Sequence, residues 1–143
     1  MTVLLLHGPN LNLLGEREKG TYGTLSSEAL VEKLRNEFPG VTIDYFQSNH
    51  ESELVDRIQG ARHTHQGILI NAGAFSHTSV AIADAVRSVP LPSICVHITN
   101  IYKREAYRHT DLVGEACRGA IVGLGTEGYT LAMECLLEFT GQD

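Results

Sequence analysis

Short, uninterrupted apolar runs recur along the chain, and each closes on residues that contribute little to packing. Val3-Leu4-Leu5-Leu6 runs into His7-Gly8-Pro9-Asn10, Gly67-Ile68-Leu69-Ile70 into Asn71-Ala72-Gly73-Ala74, and Ser93-Ile94-Cys95-Val96 into His97-Ile98-Thr99-Asn100. Runs of this length without alternation predict strands buried on both faces, as in a parallel sheet. Between them the period changes. Residues 26–38 place Leu30, Leu34 and Phe38 on one helical face and stop at Pro39-Gly40. A strand at about 41–47 alternates Val41, Ile43 and Tyr45 with Thr42 and Asp44. Ser48-x-x-Glu51 predicts a capping box that opens a second helix burying Leu54, Val55 and Ile58. A third helix is expected from near Thr78 to about Pro90, and a short helical piece over 103–109. A fifth strand is expected at 119–123, then a last helix at 126–140 packing Leu131, Leu136 and Phe139 or their neighbours.

Strand and helix alternate from end to end without repeats, low complexity or a linker. The expected architecture is one α/β domain: a flavodoxin-like, doubly wound, five-stranded parallel sheet of order 2-1-3-4-5. In that order strands 1, 3 and 4 are neighbours, so Asn10, Asn71 and His97 converge on the point where strand order reverses. Ligands of open α/β sheets bind there, beyond the carboxyl ends of the strands.

Composition narrows the function. The 143 residues suit one core. A net charge of −6 disfavours nucleic acid as a partner. It leaves room for an anionic small molecule held by a few arginines in a cleft. The three cysteines, Cys95, Cys117 and Cys135, form no C-x-x-C pair and are expected as reduced thiols of a cytoplasmic protein. The apolar run at 3–6 is too short for a signal-peptide core, and no apolar stretch reaches spanning length. No metal or organic cofactor is expected. Neither a P-loop nor a G-x-G-x-x-G fingerprint occurs, and no Cys/His spacing matches a zinc site. Lys19, Lys33 and Lys103 lack the apolar surround that would prepare a Schiff-base amine.

The candidate chemistry sits in three loops. Residues 8–24 form a long connection for a compact domain, and such loops tend to bind ligands or act as lids. It carries Asn10, Asn12, Arg17 and Tyr22. These are ordinary surface residues on one account. On the other, an arginine beside a phenol favours the phenolate and makes Tyr22 a general base. In the segment 74–79, Ser76, Thr78 or Ser79 can cap a helix, and the same helix N-terminus can hold a carboxylate beside Asn71 and His77. His97 is either a satisfied core histidine or a proton donor. Thr99, Asn100, Arg104 and Arg108 downstream favour a site.

Taken together, these residues carry a resemblance. The segments Gly8-Pro9-Asn10-Leu11-Asn12-Leu13-Leu14-Gly15, Arg17-Glu18 with Tyr22-Gly23, Asn71-Ala72-Gly73-Ala74 and His77-Thr78-Ser79-Val80-Ala81 resemble type II 3-dehydroquinate dehydratase (type II dehydroquinase). So do Val96-His97-Ile98-Thr99-Asn100, Arg104-Glu105 with Arg108-His109, and Ile121-Val122-Gly123-Leu124-Gly125, in matching order over nearly the whole chain. The resemblance implies dehydration of 3-dehydroquinate to 3-dehydroshikimate through an enolate, without metal or cofactor, in the shikimate pathway or quinate catabolism. It implies Tyr22 as base assisted by Arg17, His97 as acid, and Asn10 near the developing enolate. Substrate contacts carry over to Asn71, His77, Asp84, Ile98, Thr99 and Arg108. It further implies trimers assembled into a dodecamer, with Asp84 reaching a neighbouring subunit's site.

Two positions depart from the family pattern. Cys95 stands where the family has Glu two residues before the histidine, and Thr99 where it has Ser. Residues i and i+2 of a strand share a face, so Cys95 is expected beside His97. A neutral thiol there would leave the imidazole less basic and less firmly oriented, unless another group compensates. Two other classes stay open on the residues alone. One is a flavodoxin-like binding or regulatory module without strong catalysis; the other is flavin or nucleotide binding, which has only the fold in its favour.

Overall fold

The computed structural model describes residues 1–16 and 25–141. Five parallel strands, β1 (Thr2–His7), β2 (Thr42–Gln47), β3 (Gly67–Asn71), β4 (Ser93–His97) and β5 (Gly119–Val122), pair in the order β2-β1-β3-β4-β5. This is the doubly wound, flavodoxin-like order expected from the alternation of elements. Every residue of β3 and β4 is buried, as their unbroken apolar runs require.

Helices cover both faces. Helices α1 (Ser27–Glu37) and α5 (Glu127–Phe139) pack on one face, where Leu30, Leu34, Met133 and Leu136 meet Val3, Leu5, Leu69 and Val96. Helices α2 (Glu51–Ala61), α3 (Val80–Ser88) and α4 (Leu112–Ala116) pack on the other, where Leu54, Ile58, Ile82, Val86 and Val113 meet Leu4, Leu6, Ile70 and Cys95. Alternate residues of β1, β3 and β4 supply the two cores, the period-two rule read along a doubly covered sheet.

Several local expectations are corrected. Ser48 does not form a capping box with Glu51; its hydroxyl accepts from the His50 N–H at 2.9 Å and donates to Glu53 at 2.7 Å. A turn ahead of the helix therefore takes the hydroxyl, and Glu51 becomes the first residue of α2. The third helix begins at Val80 rather than Thr78. A 3-10 turn, Gly73–His77, follows β3 first, and the Ser79 hydroxyl caps α3 by accepting from the Ile82 N–H. The segment 103–109 is two 3-10 turns, Ile101–Lys103 and Ala106–Arg108, and α4 follows unexpectedly. On α5 the buried residues are Tyr129, Ala132, Met133 and Leu136, while Leu131 and Phe139 are exposed.

Two glycines let the loops after β1 and β3 close on each other. A Cβ at Gly8 would lie 2.1 Å from the Ala72 carbonyl oxygen, and one at Gly73 would lie 2.9 Å from the Pro9 carbonyl oxygen. The Gly8 N–H donates to the Asn71 carbonyl at 2.8 Å across this approach. Gly73 also has φ +60°, and Asn10, at φ 69°, adopts the left-handed conformation that asparagine tolerates better than most residues.

Below the loops, the α1/α5 face holds a buried polar chain. Asn71 Nδ2 donates to the Tyr129 hydroxyl at 2.9 Å, and that hydroxyl lies 2.9 Å from His7 Nε2. His7 Nδ1 lies 3.1 Å from the Tyr45 hydroxyl. A neutral imidazole completes this chain, with Tyr129 donating to Nε2 and Nδ1–H donating to Tyr45. Complete burial of His7 lowers its pKa from 6.5 to about 3, and burial raises the Tyr129 phenol.

Gly8→Ala is expected to lower unfolding free energy by at least about 2 kcal/mol, because backbone on both sides must move. Urea unfolding with an unchanged m-value checks it. A second expectation concerns acid. The unfolded His7 takes a proton below pH 6.5 while the folded one resists until near 3, so stability falls as pH drops through that window. Between pH 7 and 5 the loss from this residue is about 2 kcal/mol. Denaturant curves at the two pH values should show it, and His7→Gln should lose less stability over the same interval.

Candidate active site

A cleft of about 110 Å³ opens at the carboxyl edge of the sheet, where β1, β3 and β4 end. Asn10 and its neighbours Pro9 and Leu11 line it from the loop after β1, and Asn71, Gly73, Ala74 and His77 from β3 and the 3-10 turn. His97, Ile98, Thr99, Ile101, Arg104 and Arg108 complete it from β4 and the segment beyond. Asn10, Asn71, His77, His97, Ile98, Thr99 and Arg108 thus line one cleft, and the convergence of Asn10, Asn71 and His97 expected from the strand order is met.

Asp84 is not among them. It lies on α3 with its side chain 69% exposed, 3.7 Å from the Arg87 guanidinium. Arg17 and Tyr22 fall outside the described residues. The segment expected to hold an anion at a helix N-terminus contributes differently. Ser79 is used as the cap of α3, Ser76 is buried, and the cleft is lined by the preceding 3-10 turn.

The two faces of the sheet deliver different chemistry to this cleft. Asn71, on the α1/α5 face, donates from Nδ2 to Tyr129 and accepts at Oδ1 from the Gly73 N–H at 3.1 Å. Both amide atoms are thereby identified, and one N–H and one lone pair remain for a bound molecule. The Asn10 N–H donates to Asn49 Oδ1 at 3.0 Å, and Gln47 Nε2 donates to the Gly8 carbonyl at 3.2 Å. These bonds hold the first loop against the end of β2.

His97 projects on the opposite face. Its Nε2–H donates to Asp111 Oδ2 at 2.6 Å, and Cys95 Sγ lies 3.4 Å from the same nitrogen. The His77 ring stacks on the His97 ring with centroids 5.8 Å apart and planes inclined by 23°. His77 Nδ1 carries a hydrogen, because it donates to the Thr110 carbonyl at 2.8 Å. Burial lowers the His77 pKa, opposed by that carbonyl. Burial alone would raise the Asp111 carboxyl, but the hydrogen bond and charge of His97 with the Gly114 N–H leave it below the usual carboxylate range. On the outer side, Arg104 Nη1 donates to Thr99 Oγ1 at 3.4 Å, and Arg108 Nε pairs with Glu105. Two guanidinium groups therefore border the cleft despite the acidic net charge.

Asp111 is the residue that sequence reasoning missed. The expectation that Cys95 lies beside His97 is met, and the same nitrogen also meets a carboxylate, supplied by the N-cap of an unforeseen short helix. The signal that marks such a cap, Asp ahead of Leu112 and Val113, is present in the chain. Among the described residues, Cys95, His97 and Asp111 also form the one group of donors close enough to suggest a metal, with all ligand atoms within 4.8 Å. Tetrahedral ligands with bonds of about 2.0–2.1 Å stand roughly 3.3 Å apart. The 2.6 Å between Nε2 and Oδ2 is a hydrogen-bond length instead, and a proton joins His97 to Asp111 in this structure.

Known proteins are similar to this chain over nearly its whole length. The family profile "Dehydroquinase class II" matches residues 1–137. A 3-dehydroquinate dehydratase of Acaryochloris marina is 47% identical over 138 residues, covering 95% of this chain and 93% of that protein. One of Campylobacter jejuni subsp. doylei is 46% identical over 144 residues, covering 99% and 91%. The crystal structure of a type II dehydroquinase from Butyrivibrio crossotus superposes with a TM-score of 0.92 at 42% identity, covering 95% of this chain and 97% of the other. Among the described residues no helix is long and apolar enough to cross a membrane. With the cleft at the strand-order reversal and a match from the first residue to the last helix, the chain belongs to the class II dehydroquinases, a family of lyases.

Proposed function

We propose that this protein dehydrates 3-dehydroquinate to 3-dehydroshikimate, with Tyr22 as the base and His97 as the acid, in aromatic biosynthesis or quinate breakdown. The observation that carries the proposal is the cleft itself. It gathers an imidazole hydrogen-bonded to a carboxylate, a second imidazole, two asparagines and two arginines in a chain of this family. Such a set suits a polyhydroxylated ring acid. Arg108 and the polar groups of the 3-10 turn after β3 fit its carboxylate and hydroxyls, while Ile98 and Ile101 offer apolar contact to the ring.

Elimination of water from this substrate requires two proton transfers. The Tyr22 phenolate, stabilised by the Arg17 guanidinium, removes a proton from the carbon beside the ketone, and the electron pair moves onto the oxygen as an enolate. Donors aimed at that oxygen lower the barrier, and Asn10 is placed in the loop that would supply one. The enolate then collapses to a carbon–carbon double bond as the carbon–oxygen bond of the departing hydroxyl breaks. His97 delivers the proton that turns the leaving hydroxide into water. With Nε2–H held by Asp111, Nδ1 is the nitrogen left for that step. Asp84, exposed on α3, would complete a neighbouring subunit's site in a trimer-based assembly.

Absorbance of the conjugated enone formed from 3-dehydroquinate tests the proposal directly; well-folded protein without turnover overturns it. Tyr22→Phe should reduce kcat at least about a hundredfold while leaving the thermal unfolding midpoint in place. Arg17→Ala should shift the onset of activity to higher pH, because a phenolate without its cation forms at higher pH. For the assembly, sedimentation should detect a compact oligomer whose dissociation lowers activity, and fully active monomers would contradict the role given to Asp84.

A further inference from the structure

We propose that Asp111 is the positioning residue for His97, holding its Nε2–H from the cap of α4 where the strand itself offers only a thiol at position 95. The inference rests on the reading of His97 as the acid and adds a residue that reading does not contain. Three observations support it. The carboxylate oxygen lies 2.6 Å from Nε2, with 6% of the His97 side chain and 11% of the Asp111 side chain exposed, so solvent does little to screen the pair. Position 95 holds a fully buried thiol, and burial keeps it protonated. Position 95 therefore contributes no anion at Nε2, and the one found there is Asp111. Thirdly, the backbone is shaped around the carboxylate. Asp111 Oδ1 accepts the Gly114 N–H at 2.8 Å, and a Cβ on Gly114 would lie 2.2 Å from Oδ2.

The small side chain at 95 is part of the same arrangement. Cys95 Sγ sits 3.8 Å from Asp111 Oδ2, in space that a glutamate would fill while setting a second carboxylate against the first. The groups facing His97 are Asp111 from the cap of α4, Cys95 from its own strand, His77 from the 3-10 turn after β3, and Arg104 and Arg108 around the cleft. Asp111 is the anion among them. It fixes the tautomer with Nε2–H and turns Nδ1 into the nitrogen that meets substrate. An aspartate acting only as a helix cap would do none of these.

Two variants separate the possibilities. Asp111→Asn keeps an oxygen for the Gly114 N–H and removes the charge. Gly114→Ala keeps the charge and pushes the carboxylate away from Nε2. The readout is the tautomer of the neutral His97 ring, by NMR of nitrogen-15-labelled histidine assigned with His97→Gln, together with kcat and KM for 3-dehydroquinate. In Asp111→Asn the oxygen stays on the Gly114 N–H and the amide NH2 faces Nε2, so the hydrogen is expected to move from Nε2 to Nδ1. The variant should also lower kcat on the order of tenfold to hundredfold, with KM changed far less. Gly114→Ala should shift the tautomer population away from Nε2–H by a smaller amount. A ring that keeps the wild-type Nε2–H tautomer in the folded variants overturns the proposal, whatever happens to kcat, since a cap alone would leave it unmoved. Absence of turnover by the wild-type protein defeats the dehydratase reading separately, because the tautomer measurement needs no substrate.

Discussion

The carboxyl edge of the sheet depends on how closely two loop backbones approach. Gly8 and Gly73 let the turns after β1 and β3 meet with no side chain between them, closer than any Cβ would permit. Parallel pairing of β1 with β3 runs out at His7 and Asn71, and the next hydrogen bond, from the Gly8 N–H to the Asn71 carbonyl, already belongs to the loops. Asn10 is placed by that contact on one side and by the end of β2 on the other. Move the two turns apart by a methyl group and the cleft loses the relation between its asparagines before any catalytic group is touched.

Burial is resolved in opposite ways on the two faces of this edge. On the α1/α5 side, His7, Tyr129 and Asn71 are buried as neutral groups that satisfy one another, and desolvation decides their protonation. On the other side, Asp111 keeps its charge although burial opposes it, because the imidazole and a backbone N–H are both within hydrogen-bond distance. The neutral chain makes a rigid wall. The carboxylate holds the imidazole N–H at a fixed place, and fixed placement of charge is what a preorganised site requires.

The fold was legible because strands buried on both faces write themselves as unbroken apolar runs, and β1, β3 and β4 each do so. Most of the cleft was legible for a related reason: Asn71 and His97 end such runs, where a packing residue would otherwise stand. What escaped was local. Ser48 has an acidic residue at capping-box spacing, yet a turn before the helix competes for its hydroxyl and Glu53 takes the hydrogen bond. The last helix offers Leu131 and Phe139 as candidates for burial, but the phase that faces the sheet is set by Tyr129 reaching His7, a contact 122 positions apart in the chain. The short helix α4 is too brief for periodicity to reveal, and with it went Asp111. Its partner is spatial, and no window of sequence contains the reason for it.

The same feature bears on how such a site can change over evolutionary time. In the role proposed for Asp111, what the imidazole registers is the distance to an oxygen, and a carboxylate sixteen positions downstream of Cys95 supplies it. This arrangement and one with the carboxylate on the strand itself are not freely interchangeable by single steps. A chain holding both carboxylates crowds two negative charges around one buried ring, and a chain holding neither leaves the ring without an anchor. Positions 95 and 111 are in contact in this chain, so a change at either one alters the surroundings of the other. Judged one position at a time, a lineage that had exchanged one arrangement for the other would look as though it had lost part of its site.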